Sequence, residues 1–385
     1  MAAKARPKVF RVTGLPASDN LGEVGSRLRE IILDEFIDDE RQRLKVDIQC
    51  VPACGSNGLS ALVKFSGGVP FFLSDLERDP LGIHQLEMDD DDITFDLHFF
   101  GFTQLYQTAQ DKPITADIIA ITGLDGNAYG SWTSRSNLAR MWLRDFLSKD
   151  MPQCRTMIYG YNSKLSSHGI DTVLDYGREL LEGVKNIRRT QSLRERPLIF
   201  VAHSFGGIIL AHTLIRAKLA DDRDDPTVAT LNKATYGLLF FGTPHKGLFI
   251  EDILSMIGGG NPRRGLVEEL REKSSSLESQ ISDFRNLARD YKIVSFYETQ
   301  QSKRLKWDEE KSRFRRTGEY ITSVDTDSAL LQLPDNMEVK VKVDADHSNI
   351  AKFMNRNGEP YTTTLRYLKK FELDAINEVP QRFCT

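Results

Sequence analysis

The chain has 385 residues, 40% of them hydrophobic and 28% charged, which is the composition of a soluble globular protein. This length exceeds the usual size of one domain, so we expect one large domain and a smaller one. The formal charge of −4 gives no overall attraction to nucleic acid or to anionic membranes. No run approaches the roughly 18 apolar residues that a membrane span needs.

The amino terminus and the cysteines bear on where in the cell the protein is located. The amino terminus, MAAKARPKVF, has basic residues without a following apolar stretch, so we expect no secretory signal. Cys50 and Cys54 have the spacing of half a zinc site, but no second Cys/His pair matches it, and free thiols are the preferred interpretation. A reducing, cytoplasmic location follows, with membrane association left open.

Residues 8–110 are predicted to form a compact α+β domain. Strand-like and helical segments follow the order β-α-β-β-α-β, which is the ferredoxin-like order. The segments are VFRVTGLP, GEVGSRLREIILDEF, KVDIQCVP, SALVKF, VPFFLSDLERD and ITFDLHFFGF. We expect the acidic run Asp89–Asp92 to be a solvated loop before the last strand.

RNA-recognition domains share this order of elements and stack bases on aromatic residues of a central strand. Here Ser60 and Leu62 stand where aromatic rings would be needed, and no basic stripe surrounds them. We therefore expect no nucleic acid partner. A structural role, or docking of a protein partner, is the preferred role of this domain.

Residues 115–372 alternate short apolar strands with amphipathic helices, which predicts an α/β fold with a doubly wound, mostly parallel sheet. The strands are ADIIAITGL, TMIYGYN, PLIFVAHS, TYGLLFFGTP, KIVSFYET and VKVKVDA. The helices are LARMWLRDFL, DTVLDYGRELLEGVKNI and GGIILAHTLIRAKL. Catalytic residues of such sheets lie at the carboxyl ends of the strands.

One strand ends in the motif AHSFGG, residues 202–207. The nucleophile elbow of hydrolases reads G-x-S-x-G, because its strand-to-helix turn is strained and crowded. Ala202 is the smallest departure from that pattern. Ser204 is therefore the candidate nucleophile, and the alternative is an ordinary turn of small residues.

Stabilisation of an oxyanion requires two hydrogen-bond donors. The backbone N–H of Phe205, at the start of the following helix, is one candidate. The second should come from a loop after an earlier strand, and the Leu124 N–H fits because Gly123 permits a tight turn. An ordinary glycine turn is the alternative.

The serine needs a histidine as base, and the histidine needs an acid to orient it. His347 follows the last predicted strand and satisfies the chain order serine, acid, histidine, with His245 as the alternative. Glu298, at the end of KIVSFYET, is the first choice of acid. Asp327 and Asp325 stay open as second and third choices.

Several segments resemble, in order, the lipase-like serine esterases related to serine-active-site-containing protein and, more distantly, the GPI inositol-deacylases. They are TGLDGNAYGSW, MWLRDFL, IYGYNS, FVAHSFGG, FFGTPHKG, SFYET and DADHSNIAKF. The likeness covers roughly residues 115–370 and extends to fungal members that carry a small α+β block ahead of the hydrolase block. It implies an α/β-hydrolase fold with Ser204 as nucleophile, His347 as base and an ester or lipid substrate. The chain departs from the family at Ala202 and at Thr122, where many hydrolases have histidine.

Two further segments bear on binding. Residues 248–290 have helical spacing interrupted by three glycines (258–260), which predicts either a hinged cover over the site or plain packing helices. The segment KRLKWDEEKSRFRR, residues 303–316, carries Trp307 and Phe314 among charges of both signs. It predicts a solvated hairpin, with peripheral contact to anionic lipid headgroups as the alternative.

Together these patterns predict a serine esterase that cleaves carboxylic esters, lipid-like for preference, through a Ser-His-acid triad and an acyl-enzyme. This chemistry needs no metal or organic cofactor. The alternative is a catalytically silent module that keeps the fold and acts in signalling or docking.

Overall fold

The computed structural model describes residues 8–220, 225–308 and 313–384. The prediction of no secretory signal concerns the amino terminus, of which residues 1–7 lie outside the described residues. The side chains of Trp307 and Phe314, which bear on the predicted hairpin, also lie outside them. The strands are β1 (Val9–Leu15), β2 (Lys45–Pro52), β3 (Leu59–Ser66), β4 (Ile83–Met88), β5 (Asp91–Asp96), β6 (Gly101–Gln104), β7 (Ala116–Ile121), β8 (Cys154–Gly160), β9 (Leu198–His203), β10 (Thr235–Phe241), β11 (Lys292–Glu298), β12 (Ser302–Asp308), β13 (Arg313–Ile321) and β14 (Glu338–Val343).

Helices connect most of these strands. They are α1 (Leu21–Asp34), α2 (Asp38–Arg43), α3 (Asp75–Arg78), α4 (Trp142–Asp145), α5 (Leu147–Asp150), α6 (Val173–Ile187), α7 (Gln191–Glu195), α8 (Phe205–Leu219), α9 (Pro226–Ala234), α10 (Glu251–Ile257), α11 (Arg264–Glu269), α12 (Ser275–Leu287), α13 (Thr326–Ala329) and α14 (Glu359–Gln381), with short 3₁₀ turns at Phe71–Leu73, Gly130–Trp132 and Ala288–Asp290.

The amino-terminal sheet is antiparallel, with the strand order β2-β3-β1-β5-β4. Without β4 this is the ferredoxin-like order, so that part of the predicted fold is confirmed. The apolar side chains of α1 recur at Val24, Leu28 and Ile32, and this spacing of four places all three on the face that packs against the sheet. The edge strand β4 was not expected from the sequence.

Three local predictions for this domain were wrong in part. The segment VPFFLSDLERD forms only a 3₁₀ turn and the short helix α3, because Pro70 and Pro80 bracket it. The start of ITFDLHFFGF lies in β5 and joins the smaller sheet as expected, whereas its end enters β6, which pairs with β8 of the larger sheet. A turn in which the Phe99 N–H donates to the Asp96 carboxylate redirects the chain. The acidic run is only partly a loop, since β5 begins at Asp91.

The larger sheet has seven strands in the order β14-β11-β10-β9-β7-β8-β6. Neighbouring strands are parallel except at the edge, where β6 is antiparallel to β8. Every residue of β7 and β10 is buried, because helices cover both faces. One face packs against α6, α8 and α12, and the other packs against α14 and the short helices α4 and α5.

This architecture is the α/β-hydrolase fold, so the predicted fold class is confirmed. The six strands predicted for this domain are all present. The segment LARMWLRDFL, however, forms only the two short helices α4 and α5 in place of one longer helix.

The open face of the smaller sheet lies against the larger domain. Arg11 is buried and donates hydrogen bonds to Asp96 and to Thr103, the latter in β6. Leu62 belongs to the apolar core of the larger domain, and the Gln49 side chain donates to the Leu105 carbonyl. The surface on which RNA-recognition domains stack bases is therefore covered here.

Candidate active site

Ser204 occupies a strained turn between β9 and α8. Its φ is 53° and its ψ −126°, a backbone conformation that side chains other than glycine rarely adopt. The close approach of Gly206 permits the turn, since a Cβ there would lie 2.5 Å from the carbonyl oxygens of Ile121 and Thr122. This geometry lifts the serine hydroxyl above the carboxyl end of the sheet.

Ala202 stands where the elbow pattern has glycine. It is fully buried inside β9 and pairs in ordinary parallel register with Phe240 and Ile121. It is not among the residues with positive φ. A methyl group is accepted at this position because the unusual backbone begins only at Ser204.

His347 and Glu298 meet Ser204 at the carboxyl edge of the sheet. The His347 Nε2 lies 2.8 Å from the Ser204 Oγ, and its Nδ1 lies 2.9 Å from the Glu298 Oε2. His347 follows β14, Glu298 ends β11 and Ser204 follows β9, so three different strands supply the three residues. The structure thus brings together the residues ranked first as nucleophile, base and acid.

Burial and a second hydrogen bond fix the Glu298 carboxylate in this position. Its side chain is 1% exposed, and its second oxygen, Oε1, accepts the Val324 N–H at 3.1 Å. Gly242, at a φ of 55°, passes beside the pair, and a Cβ there would lie 3.2 Å from the His347 Nδ1. The sequence offered no signal for Gly242 beyond its place at the end of β10.

The alternative residues lie elsewhere. Asp327 is exposed and pairs with Lys246 at 2.7 Å, whereas Asp325 caps α13 by accepting the Ser328 N–H. His245 is buried and packs edge-on against Phe240, with ring centroids 5.0 Å apart. None of the three forms a hydrogen bond with Ser204 or His347 among the described residues.

His203 supports the loop that carries His347. Its Nε2 lies 3.0 Å from the His347 main-chain oxygen, and a carbonyl can only accept, so Nε2 carries the proton. Burial, and secondarily the neighbouring His347 ring, lower the pKa of His203 to about 3, so it stays neutral. Sequence reasoning did not identify His203.

Leu124 and Phe205 line the cavity in front of Ser204. Phe205 is the first residue of α8, where amide N–H groups have no acceptor within the helix. The Leu124 loop is held in place by the Tyr161 hydroxyl, which donates to the Thr122 carbonyl, and by the Thr122 hydroxyl, which donates to the Ser131 Oγ. Thr122 therefore has a structural partner where other hydrolases have histidine.

The cavity has a volume of about 440 Å³ and two unlike walls. One wall is apolar and comes largely from α10 and its flanks, with Leu165, Leu248, Ile253, Met256 and Leu270. The rest of the lining includes the cations Arg135 and Lys352. The cavity therefore offers both apolar and cationic side chains to a ligand.

Ion pairs hold the first turn of α10 and the segment that follows its glycines. Arg304 of β12 donates through Nε and Nη2, at 2.9 and 2.8 Å, to the carboxylate of Asp252, which also lines the cavity. Beyond the glycines at 258–260, the buried Arg263 bonds to Asp171 and Ser167. Side chains added at Gly259 and Gly260 would meet nothing, so this connection has room to move.

A larger cavity, of about 600 Å³, lies far from this chemistry. Lys233 and Lys292 line it, and they stand at the amino ends of β10 and β11. Reactive groups of parallel sheets gather at the opposite edge, so the smaller cavity is the candidate site. Across the described ranges, no helix has both the length and the apolar character to cross a bilayer.

The strand order, the serine turn and the histidine loop define the class of this molecule as the α/β-hydrolase fold. The chain is similar to Protein SERAC1 of Danio rerio, at 28% identity over 290 residues, which cover 68% of this chain and 40% of the relative. Protein SERAC1 of Homo sapiens is 24% identical over 289 residues, with 69% and 40% covered. The chain therefore spans about two fifths of the length of these curated relatives.

Solved structures give a likeness of fold alone. A lipase from Bacillus licheniformis, BlEst2, has a TM-score of 0.44 at 13% identity, covering 70% of this chain and 97% of its own. The phospholipase PlaB from Legionella pneumophila has a TM-score of 0.44 at 14% identity, covering 69% and 61%. No family model matches the chain.

Proposed function

We propose that this protein is a serine hydrolase that cleaves carboxylic esters, with lipid-like esters preferred. One observation carries the proposal: the line of contacts from the Ser204 Oγ through the His347 ring to the Glu298 carboxylate, at 2.8 and 2.9 Å. A serine hydroxyl is a weak nucleophile unless a base takes its proton, and this arrangement supplies the base and the group that orients it.

The reaction proceeds in two halves. In the first, the Ser204 Oγ attacks the ester carbonyl while His347 Nε2 takes its proton and then gives it to the departing alcohol. In the second, His347 takes a proton from water, the hydroxide attacks the acyl-enzyme, and the proton returns to Ser204. Glu298 orients the His347 ring and stabilises the imidazolium that forms in each half.

The negative charge on the carbonyl oxygen is held by the N–H groups of Leu124 and Phe205. Both residues line the cavity next to Ser204, and Phe205 adds the positive end of α8. Removal of one such donor typically lowers kcat by about 10²–10³. Because the Leu124 loop is fixed by Thr122 and Tyr161, its N–H is oriented before substrate arrives.

The acyl group is proposed to lie along the apolar wall formed by α10 and its flanks. Leu248, Ile253 and Met256 offer an apolar surface for a hydrocarbon chain. The glycines at 258–260 allow α10 to move and admit such a chain. We also propose a cytoplasmic location with transient contact to a lipid surface.

The test is covalent labelling with a fluorescent fluorophosphonate, comparing the wild type, Ser204→Ala and Ser255→Ala. Ser255 is an exposed serine of α10 and serves as the matched control. We expect labelling of the wild type and Ser255→Ala but not of Ser204→Ala. A series of nitrophenyl esters from acetate to decanoate then measures the preferred acyl length. Equal absence of labelling in all three proteins would support the catalytically silent docking module instead.

A further inference from the structure

A third cavity, of about 460 Å³, lies between the two domains. The smaller domain lines it with Lys8 and Val9 at the start of β1, with Lys64 of β3 and with Leu97. Val9 and Lys64 are paired across β1 and β3, so the lysine stands on the sheet face that meets the larger domain. The larger domain closes the other side with loops near Tyr129.

The charge of this lining has one sign. Six cationic side chains line the cavity, and no Asp or Glu does so among the described residues: Lys8, Lys64, Arg135, Arg144, Lys164 and Lys352. Three of these cations pair with carboxylates that are not part of the lining: Lys8 with Glu77, Arg144 with Asp145 and Lys164 with Asp125. A fourth carboxylate, Asp47, lies opposite Lys64 in the sheet register and therefore on the same face of the sheet. The charged side chains that line the cavity are nevertheless all cationic among the described residues, and a cleft lined by one charge concentrates oppositely charged ligands.

This cationic cleft joins the candidate active site. Arg135 and Lys352 line both cavities, so the two spaces share a border. A ligand with an apolar end and an anionic end therefore has an apolar wall in one cavity and cationic side chains in the other. Guanidinium and ammonium groups together are the usual protein partners of phosphate.

We propose that the cationic cleft is an anion-binding subsite, built jointly by the two domains, that receives a phosphate-bearing group. This assigns the ferredoxin-like domain a part in ligand binding through Lys64 and Lys8. The phosphate comes either from the alcohol part of the ester substrate or from a separate small anion. The first source rests on the proposed hydrolase function, whereas binding itself does not.

The binding experiment uses glycerol 3-phosphate as the probe and the Ser204→Ala protein, so that no turnover intervenes. Isothermal titration compares this protein with versions that also carry Lys64→Gln, Arg135→Gln or Lys45→Gln. Lys64 and Arg135 come from opposite walls, and Lys45 is an exposed lysine of the same small sheet outside the cleft. We expect about fivefold weaker binding for each of the first two changes and no change for Lys45→Gln. Higher salt should weaken binding in the parent protein.

A kinetic experiment on proteins with Ser204 intact then distinguishes the two sources. It compares monobutyrylglycerol with monobutyrylglycerol 3-phosphate. If the phosphate belongs to the substrate, kcat/KM favours the phosphorylated ester, and Lys64→Gln reduces that preference about fivefold through KM. If a separate anion occupies the cleft, glycerol 3-phosphate binds but the two esters are cleaved alike.

Equal binding of glycerol 3-phosphate by the parent, Lys64→Gln and Arg135→Gln proteins, or no binding at all, would overturn the subsite. Circular dichroism of each variant checks that its fold is retained, and agreement between variants on two different domains guards against local damage. Absence of turnover for both esters would count against the proposed hydrolase function, while the titration would still decide the subsite.

Discussion

The imidazole of His203 lies 3.0 Å from the main-chain oxygen of His347 and thereby joins the residue before the serine to the loop that carries the proposed base. The two rings also lie 5.2 Å apart. Because His203 is half-buried and neutral, its N–H is a permanent donor rather than a titrating group. It is a positioning residue for His347.

Replacing His203 tests this role. We expect His203→Ala to lower kcat by about tenfold with little change in KM, because the His347 ring loses its fixed distance to Ser204. His203→Gln, which retains a side-chain N–H donor, should recover part of the loss. Steady-state kinetics on a butyrate ester measures both. A fall in stability without any change in kcat would restrict His203 to packing.

Glu298 is expected to be required for turnover. Glu298→Gln leaves the shape of the side chain but removes the charge that stabilises the His347 imidazolium, so kcat should fall by about 10⁴. Asp327→Asn is the matched control, since Asp327 pairs with Lys246 on the surface. Its kcat should stay within about twofold. Comparable losses in the two variants would contradict the assignment of the acid.

Backbone strain at Ser204 should be measurable as stability. At a φ of 53°, a serine costs on the order of 1–3 kcal/mol, which glycine avoids. Since glycine also increases the entropy of the unfolded chain, we expect Ser204→Gly to be about 1 kcal/mol more stable than Ser204→Ala. Urea unfolding of the two variants provides the comparison. Equal or lower stability of the glycine variant would mean that the turn is relaxed.

Acid should destabilise the protein through His245. Burial, and secondarily Arg285, lower the pKa of His245 to about 3, below the roughly 6.5 of an unfolded chain. Between those values the unfolded state binds the extra proton, so stability is full above pH 6.5 and is lost as the pH falls toward 3. His245→Leu removes this term and should reduce the difference in unfolding free energy between pH 7 and pH 4 by up to about 3 kcal/mol. If the unfolding free energies of the wild type and His245→Leu fell equally between pH 7 and pH 4, the role of His245 would be contradicted.

Contact with anionic lipid is best tested without touching Arg304. That residue holds Asp252 of α10, so its replacement would disturb the active-site wall. Lys303 and Lys306 are exposed on the same strand. Lys303→Glu combined with Lys306→Glu should weaken sedimentation with phosphatidylserine vesicles by roughly tenfold. Lys45→Glu with Lys292→Glu is the charge-matched control, and equal binding by the two double variants would exclude the hairpin as the contact.

Some features of this protein were determined by the sequence alone. The apolar run before Ser204 predicted a buried strand, the segment VKVKVDA before His347 predicted a strand, and the small residues after Ser204 predicted the sharp turn. These predictions succeeded because they depend on neighbours within a few positions, where side-chain periodicity and glycine content act directly. The predictions of longer helices at α3 and α4 failed for a related reason, because prolines and tertiary packing overrode the helical spacing of these segments.

Tertiary structure decided the rest. Glu298, Asp325 and Asp327 all precede His347 in the chain, and only the alignment of β11 beside β14 shows which carboxylate reaches its ring. The bond between Arg304 and Asp252 likewise joins distant segments, and Lys64 and Arg135 line one cavity from different domains. Local patterns specify which strands and helices form, whereas strand order and domain packing specify which side chains meet, and the proposed chemistry depends on those meetings.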